Sequence, residues 1–264
     1  MSPELYFALT LASKMAITAI FVVAATVTAE RAGPLVGALV ATLPLGAGPV
    51  YVFLALDHDA HFISLSALNS LAINTVNTTF AIVYALLAQK RSAAVSVCGA
   101  LGVWAVLAWI VFEIHWAFLP ALALNVLVSG VCIALSRPLR HVRMPAFHAR
   151  WSDLAMRAAL VALLVGFTVT FSFQLGSSGS GIMAVFPVIL LSIMFILHNR
   201  VGGKATAAVL ANTPLGLVGF AGACTVLHFT AEPFGNAVGL SLALATSISW
   251  SLLVLLARRR GIAV

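Results

Sequence analysis

The chain consists almost entirely of long apolar runs. They follow one another from the first residues to the closing Arg258-Arg259-Arg260, separated by short polar joints. Of 264 residues, 62% are hydrophobic and only 8% are charged. A water-soluble domain cannot hide that much apolar surface, so the solvent of this chain is lipid. A hydrocarbon core of about 30 Å takes about 20 apolar residues per helix. The runs are continuous rather than alternating, which points to helices and not to a barrel. The fold class expected is therefore an all-α polytopic membrane protein. Nine helices are expected, at 5–28, 34–56, 62–88, 92–112, 117–136, 151–174, 181–198, 205–229 and 234–257. The only connection of any length is 137–150, and no soluble domain is left over. A cleavable signal peptide is not expected, because Lys14 interrupts the first run.

The formal charge of +7 is a topology signal, since no basic soluble face exists to carry nucleic acid. The long connection holds Arg137, Arg140, Arg143 and Arg150, which makes it cytoplasmic by the positive-inside rule. Alternation then puts Arg31, Lys90, Arg91, Arg200, Lys204 and Arg258 to Arg260 on the same side. Of the 14 basic residues, only Lys14 and Arg157 remain, both inside helices. Glu4, Asp57, Asp59, Glu113 and Glu232 fall on the other side. The expected localisation is the inner (plasma) membrane, multi-pass, with the N-terminus outside and the C-terminus cytoplasmic.

The chain also echoes itself. An offset of 143 residues pairs Lys14 with Arg157, Gly33 with Gly176, Pro44 with Pro187 and Asn69 with Asn212. It lays helices one to four over helices six to nine and leaves the fifth alone. By the topology above the two modules run in opposite senses. The expected organisation is a first four-helix module at 1–113, a linking helix and basic loop at 114–150, and a second, inverted module at 151–264. Inverted repeats are a common construction of secondary transporters, because two similar packings can exchange inward- and outward-open states.

The spacing of Lys14 and Pro44, and the step Gly181-Ile182-Met183-Ala184-Val185-Phe186-Pro187 after Arg157, resemble the GlpM-like family of small four-helix inner-membrane proteins. The first module departs from that pattern, with Leu43 in place of Phe and Gly37 one residue early. The resemblance covers the first two helices of each module. It implies a fused, inverted duplication of such a module, and implies little about substrate.

Within the membrane, polar residues are expensive and mark candidates. Lys14 and Arg157 either meet an anionic group or snorkel to the surface. Pro44-Leu45-Gly46-Ala47-Gly48-Pro49 is expected to kink or unwind the second helix near the midplane, and Pro187 and Asn212-Thr213-Pro214 offer similar breaks. Ser66, Ser70, Asn74, Asn77 and Thr78 form a polar stripe on the third helix, with Asn69 nearby; the stripe lines a solute path or joins helices by hydrogen bonds. Cys98, Cys132 and Cys224 read as small buried hydrophobes. The acidic and histidine residues at the outer joints read as a solvated rim rather than a metal site. No acidic residue is expected mid-membrane, no phosphate loop occurs, and no nucleophile set appears at a matched depth.

The function expected is a secondary transporter or facilitator of a small, anionic solute, with no enzyme activity, no cofactor and no metal. The expected partners are the lipid bilayer and a small-molecule solute, with no nucleic acid, in a monomer or homo-oligomer. Its site would draw on Lys14, Arg157, Pro44, Gly46, Asn69, Asn74, Asn77, Pro187 and Asn212. The alternative is a non-transporting scaffold accessory to envelope or exopolysaccharide assembly.

Overall fold

The structure is a computed structural model that describes residues 2–31, 46–139 and 150–260. Among these residues all regular structure is helical. The helices are α1 (Pro3–Arg31), α2 (Ala47–Asp57), α3 (Ala60–Leu87), α4 (Ala93–Glu113), α5 (Phe118–Ser136), α6 (Trp151–Ala184), α7 (Val188–Val201), α8 (Gly203–Leu210), α9 (Thr213–Phe234) and α10 (Asn236–Arg259). Seven stretches among the described residues are long and apolar enough to cross a membrane, and α2 is a shorter apolar helix.

One of those stretches, Trp151–Val201, runs for 51 residues and folds back on itself. Its turning point is Gly176, whose φ of 62° and ψ of −174° interrupt α6. Only glycine holds that backbone region without steric cost. Before the break, Ser172 meets His58 beside the start of α3; beyond it, Arg200 returns to Asp153 at the start of α6. The sequence reading left a gap between 174 and 181. The structure instead reverses the chain within one residue.

Helix α3 is the hub. It packs against α2, α4, α5, α6, α8 and α9, and most of its length is buried. Small and short polar side chains let its neighbours come close, as expected of helix packing where lipid competes for apolar contact. A Cβ on Gly181 would collide with the Ser66 carbonyl, and one on Gly219 would collide with the Trp250 ring. The outward faces of α1, α4, α5 and α10 carry exposed large hydrophobics, among them Ile20, Trp109, Leu119 and Leu253. Such a surface suits lipid and not water.

The helix ends sort by charge. Asp57, Asp59, Glu113 and Glu232 lie at one end of the bundle, where Glu232 meets His61 and Asn236 bonds the carbonyls of Ala55 and His58. Lys90, Arg91, Arg137, Arg150, Arg200 and Lys204 lie at helix ends on the opposite side. The starts of α3 and α6 are capped by side-chain oxygens. Asp59 accepts from the Phe62 amide at 2.8 Å, and the Arg150 amide donates to Asp153 at 2.8 Å.

Pro49 sits in the first turn of α2, where a missing amide hydrogen costs nothing; the Pro44-Leu45 part of the expected break lies outside the described residues. The eighth expected helix is divided into α8 and α9 at Ala211-Asn212, beside the break expected at Asn212-Thr213-Pro214. One expectation changes: Cys98 is exposed, whereas Cys132 and Cys224 are buried.

Candidate functional site

Lys14 lies eleven residues into α1, about 16 Å along its axis at 1.5 Å per residue. Its ammonium donates to Asp57 Oδ2 at 2.6 Å and stands 5.8 Å from the centre of the Phe53 ring. The Lys14 side chain is 11% exposed and that of Asp57 is 29% exposed. A lone cation at this depth would be costly, and the carboxylate offsets part of that cost. Asp57, expected on a solvated rim, is thus the counter-ion of the cation set well inside α1. The next residue, His58, stacks on Phe62 with ring centres 3.8 Å apart. Its Nε2 is 2.7 Å from Ser172 Oγ, whose own proton goes to the Val169 carbonyl; His58 therefore donates. Burial lowers the His58 pKa below 6.5, Asp57 and Asp59 pull it upward, and Lys14 pushes it down.

Beside this pair is a cavity of about 430 Å³ between α1, α2, α9 and α10. Ile17 and Phe21 line it from α1, Val52 and Phe53 from α2, Phe220 from α9 and Leu244 from α10. Phe53 is therefore both a wall of the cavity and the ring beneath the Lys14 ammonium. The hydroxyls on the lining are spent elsewhere. Thr18 donates to the Lys14 carbonyl, Ser241 to the Ala237 carbonyl, and Tyr51 to Ser70, which itself donates to the Gly181 carbonyl.

The polar stripe of α3 has a different job. Ser66 donates to the Ser177 carbonyl at 3.1 Å, Ser70 to that of Gly181 at 2.7 Å, and Asn77 Nδ2 to that of Val185 at 2.7 Å. These carbonyls flank the two interruptions of the α6–α7 segment, at Gly176 and at Val185-Phe186-Pro187. The Gly181 and Val185 carbonyls stand at the end of α6, where a helix leaves carbonyls without intrahelical partners, and α3 supplies donors to them. Asn77 Oδ1 accepts from Trp104 Nε1 at 2.7 Å, and the Trp104 ring meets Phe186 edge-on at 4.8 Å. Asn74 Nδ2 donates to the Leu217 carbonyl on α9 at 3.0 Å and approaches Asn125 Oδ1 at 3.4 Å. Asn125 Nδ2 returns to the Leu71 carbonyl at 2.7 Å.

The other expected site residues are dispersed. Asn69 is buried but donates to Leu65 within its own helix. Gly46 caps the start of α2, where a Cβ would touch Ile189 at 3.5 Å. Pro187 caps the start of α7, and Asn212, at the start of α9, donates to the Ala208 carbonyl. Arg157 is half-buried on α6 toward the basic end, away from Lys14. Pro44, with Gly33 and Gly37, lies outside the described residues. Sequence reasoning passed over Asp57, Asn125, Trp104 and the pair Arg200–Asp153, whose Nη2–Oδ1 distance is 2.6 Å. Asn125 had a visible signal, being the one amide in an otherwise apolar run.

No family model, no curated protein and no solved structure matches this chain.

Proposed function

We propose that the protein is a secondary transporter or facilitator of a small anionic solute, built from two inverted, GlpM-like modules. The observation that carries this reading is the relation between two ion pairs. Lys14–Asp57 ties the first helix of the first module to its second; Asp153–Arg200 does the same in the second module. Asp57 and Arg200 are 143 residues apart, the offset of the repeat, while their partners Lys14 and Asp153 are 139 apart, one helical turn short of it, and the pairs sit toward opposite ends of the bundle. Helices α3 and α9 support the same symmetry. They run antiparallel, Ser64 meeting His228 and Asn74 meeting Leu217, and Asn74 and Leu217 are themselves 143 residues apart. A residue that touches its own repeat counterpart lies close to a pseudo-two-fold axis. With α6 divided at Gly176 and the short α2 counted as part of a passage, the described residues account for nine passages. The basic end is then cytoplasmic and the acidic end external. Two linked halves of this kind can open alternately to the two sides.

Lys14 is the residue we assign to the solute, and Asp57 holds its charge when no solute is bound. The test is flux of organic and inorganic anions into proteoliposomes. Lys14→Ala abolishes flux of the transported anion while the protein stays folded; unchanged flux removes Lys14 from the mechanism.

One observation favours the scaffold reading. The α3 stripe is committed to backbone carbonyls, which is how helix-joining amides behave. Under that reading no anion crosses the vesicle membrane, and partner proteins co-purify from the native membrane.

A further inference from the structure

We propose that the cavity and Lys14 together form a binding site for a single-chain amphipathic carboxylate, with the hydrocarbon in the cavity and the acid group on Lys14. This names the substrate class of the site assigned above and rests on the carrier reading for its claim that the bound molecule is moved.

The cavity fixes the apolar part. Its volume of about 430 Å³ lies within the range of about 300–1,000 Å³ usual for small-molecule sites. Its hydroxyls are already donating to protein acceptors, so what remains facing the space is hydrocarbon. Burying a polar occupant here would strand its hydrogen-bonding groups. Ile17, Phe21, Val52 and Leu244 on the lining are also exposed on the outer surface, so the space is open toward the bilayer. An apolar chain can enter from there.

Asp57 marks where the acid group goes. Its carboxylate stands 2.6 Å from Lys14 Nζ, and Phe53 connects that ammonium to the cavity wall. Thr18, also on the lining, is one helical turn from Lys14. A ligand with its chain along Phe53 brings its carboxylate to the same nitrogen. The two partners differ in what they can do when separated. Asp57 is the last residue of α2 and is 29% exposed, so it can turn to water. Lys14, at 11%, cannot. Replacing Asp57 by the carboxylate of the ligand keeps the buried ammonium paired throughout, which avoids the penalty of an isolated buried charge.

The arrangement gives Asp57 an unusual sign. It competes with the ligand, so its removal tightens binding, whereas removal of a merely structural ion pair loosens the fold. The probe is decanoic acid carrying a terminal diazirine, bound to the purified protein in lipid nanodiscs and mapped by peptide after illumination. Unlabelled decanoate and decanol serve as competitors. The wild-type protein is labelled on α1, α2, α9 or α10 at the cavity, and decanoate competes better than decanol. Asp57→Asn tightens decanoate about tenfold and leaves decanol unchanged. Lys14→Gln weakens decanoate about tenfold and erases its advantage over decanol. Gly48 lines the cavity and a Cβ there meets nothing, so Gly48→Leu puts its side chain into that space and weakens both competitors.

Labelling that ignores Gly48→Leu overturns the cavity as the site. Weaker decanoate binding in Asp57→Asn, with the fold intact by circular dichroism, overturns the exchange. Binding with all these signatures but no decanoate flux in proteoliposomes leaves the site standing and removes the carrier reading. Carboxylate flux unaffected by Gly48→Leu leaves a carrier and removes this site.

Discussion

Asn77 shows what a single amide does when lipid surrounds the bundle. Its two ends hold the Val185 carbonyl and the Trp104 indole, so one residue joins three helices at a break. Interhelical hydrogen bonds in membranes average about 0.6 kcal/mol, and a stranded buried carbonyl adds about 1–3 kcal/mol. Asn77→Ala should therefore lower stability by roughly 2 kcal/mol, read as a reduced thermal midpoint in detergent. Trp104→Phe in the same background should add less than it costs alone, because both changes remove one shared bond. His58 gives a pH signature. Burial, its largest influence, holds its folded pKa below 6.5 despite Asp57 and Asp59, with Lys14 acting in the same direction as burial. The unfolded chain then takes up the proton first as pH falls, so stability is greatest above pH 6.5 and declines as pH drops through it. The decline levels off once the folded histidine is also protonated. His58→Phe should flatten this part of the thermal midpoint against pH, and an unchanged slope would assign it to another group.

At the scale of elements, the reversal of the α6–α7 segment depends on glycines used in two different ways. Gly176 holds a backbone conformation that side chains resist, so Gly176→Ala should cost about 1–3 kcal/mol although a Cβ there meets nothing. Gly181 has ordinary helical geometry but no room, since its Cβ would strike the Ser66 carbonyl. Gly181→Val should separate α3 from α6 and lose the Ser70 bond with it. A thermal melt distinguishes them, because Ser70→Ala should soften the penalty of Gly181→Val and leave that of Gly176→Ala unchanged. The same elements show what was legible beforehand. The polar stripe on α3 followed from four-residue spacing, and its burial followed from the cost of amides in lipid. Its partners did not follow, because backbone carbonyls have no identity in a sequence. The contrast between Pro49, which opens a helix, and Pro187, which stands at a break, depends on where the preceding turn ends.

For the whole molecule, the separation of acidic and basic helix ends makes a topological prediction. A single cysteine placed at Asp59 should react with an impermeant thiol reagent added to intact cells, and one at Lys90 should react only after the membrane is opened. The reverse pattern would invert the proposed orientation, while the same reactivity at both would end it. Composition determined the solvent, and the order of apolar and charged residues determined the helical class and the separation of charge between ends, because lipid requires every backbone group to be paired within the chain and charges to gather at helix ends. The spacing of Lys14 and Arg157 suggested two modules, but not what either residue touches. Tertiary structure decided that Lys14 faces Asp57, that Arg200 returns to Asp153, and that an apolar cavity lies beside the first of these pairs. The physical reason is one of range. Helix formation and the length of an apolar run are set by residues close along the chain, whereas an ion pair or cavity exists only where separate helices meet. Here the pairs join residues 43 and 47 positions apart.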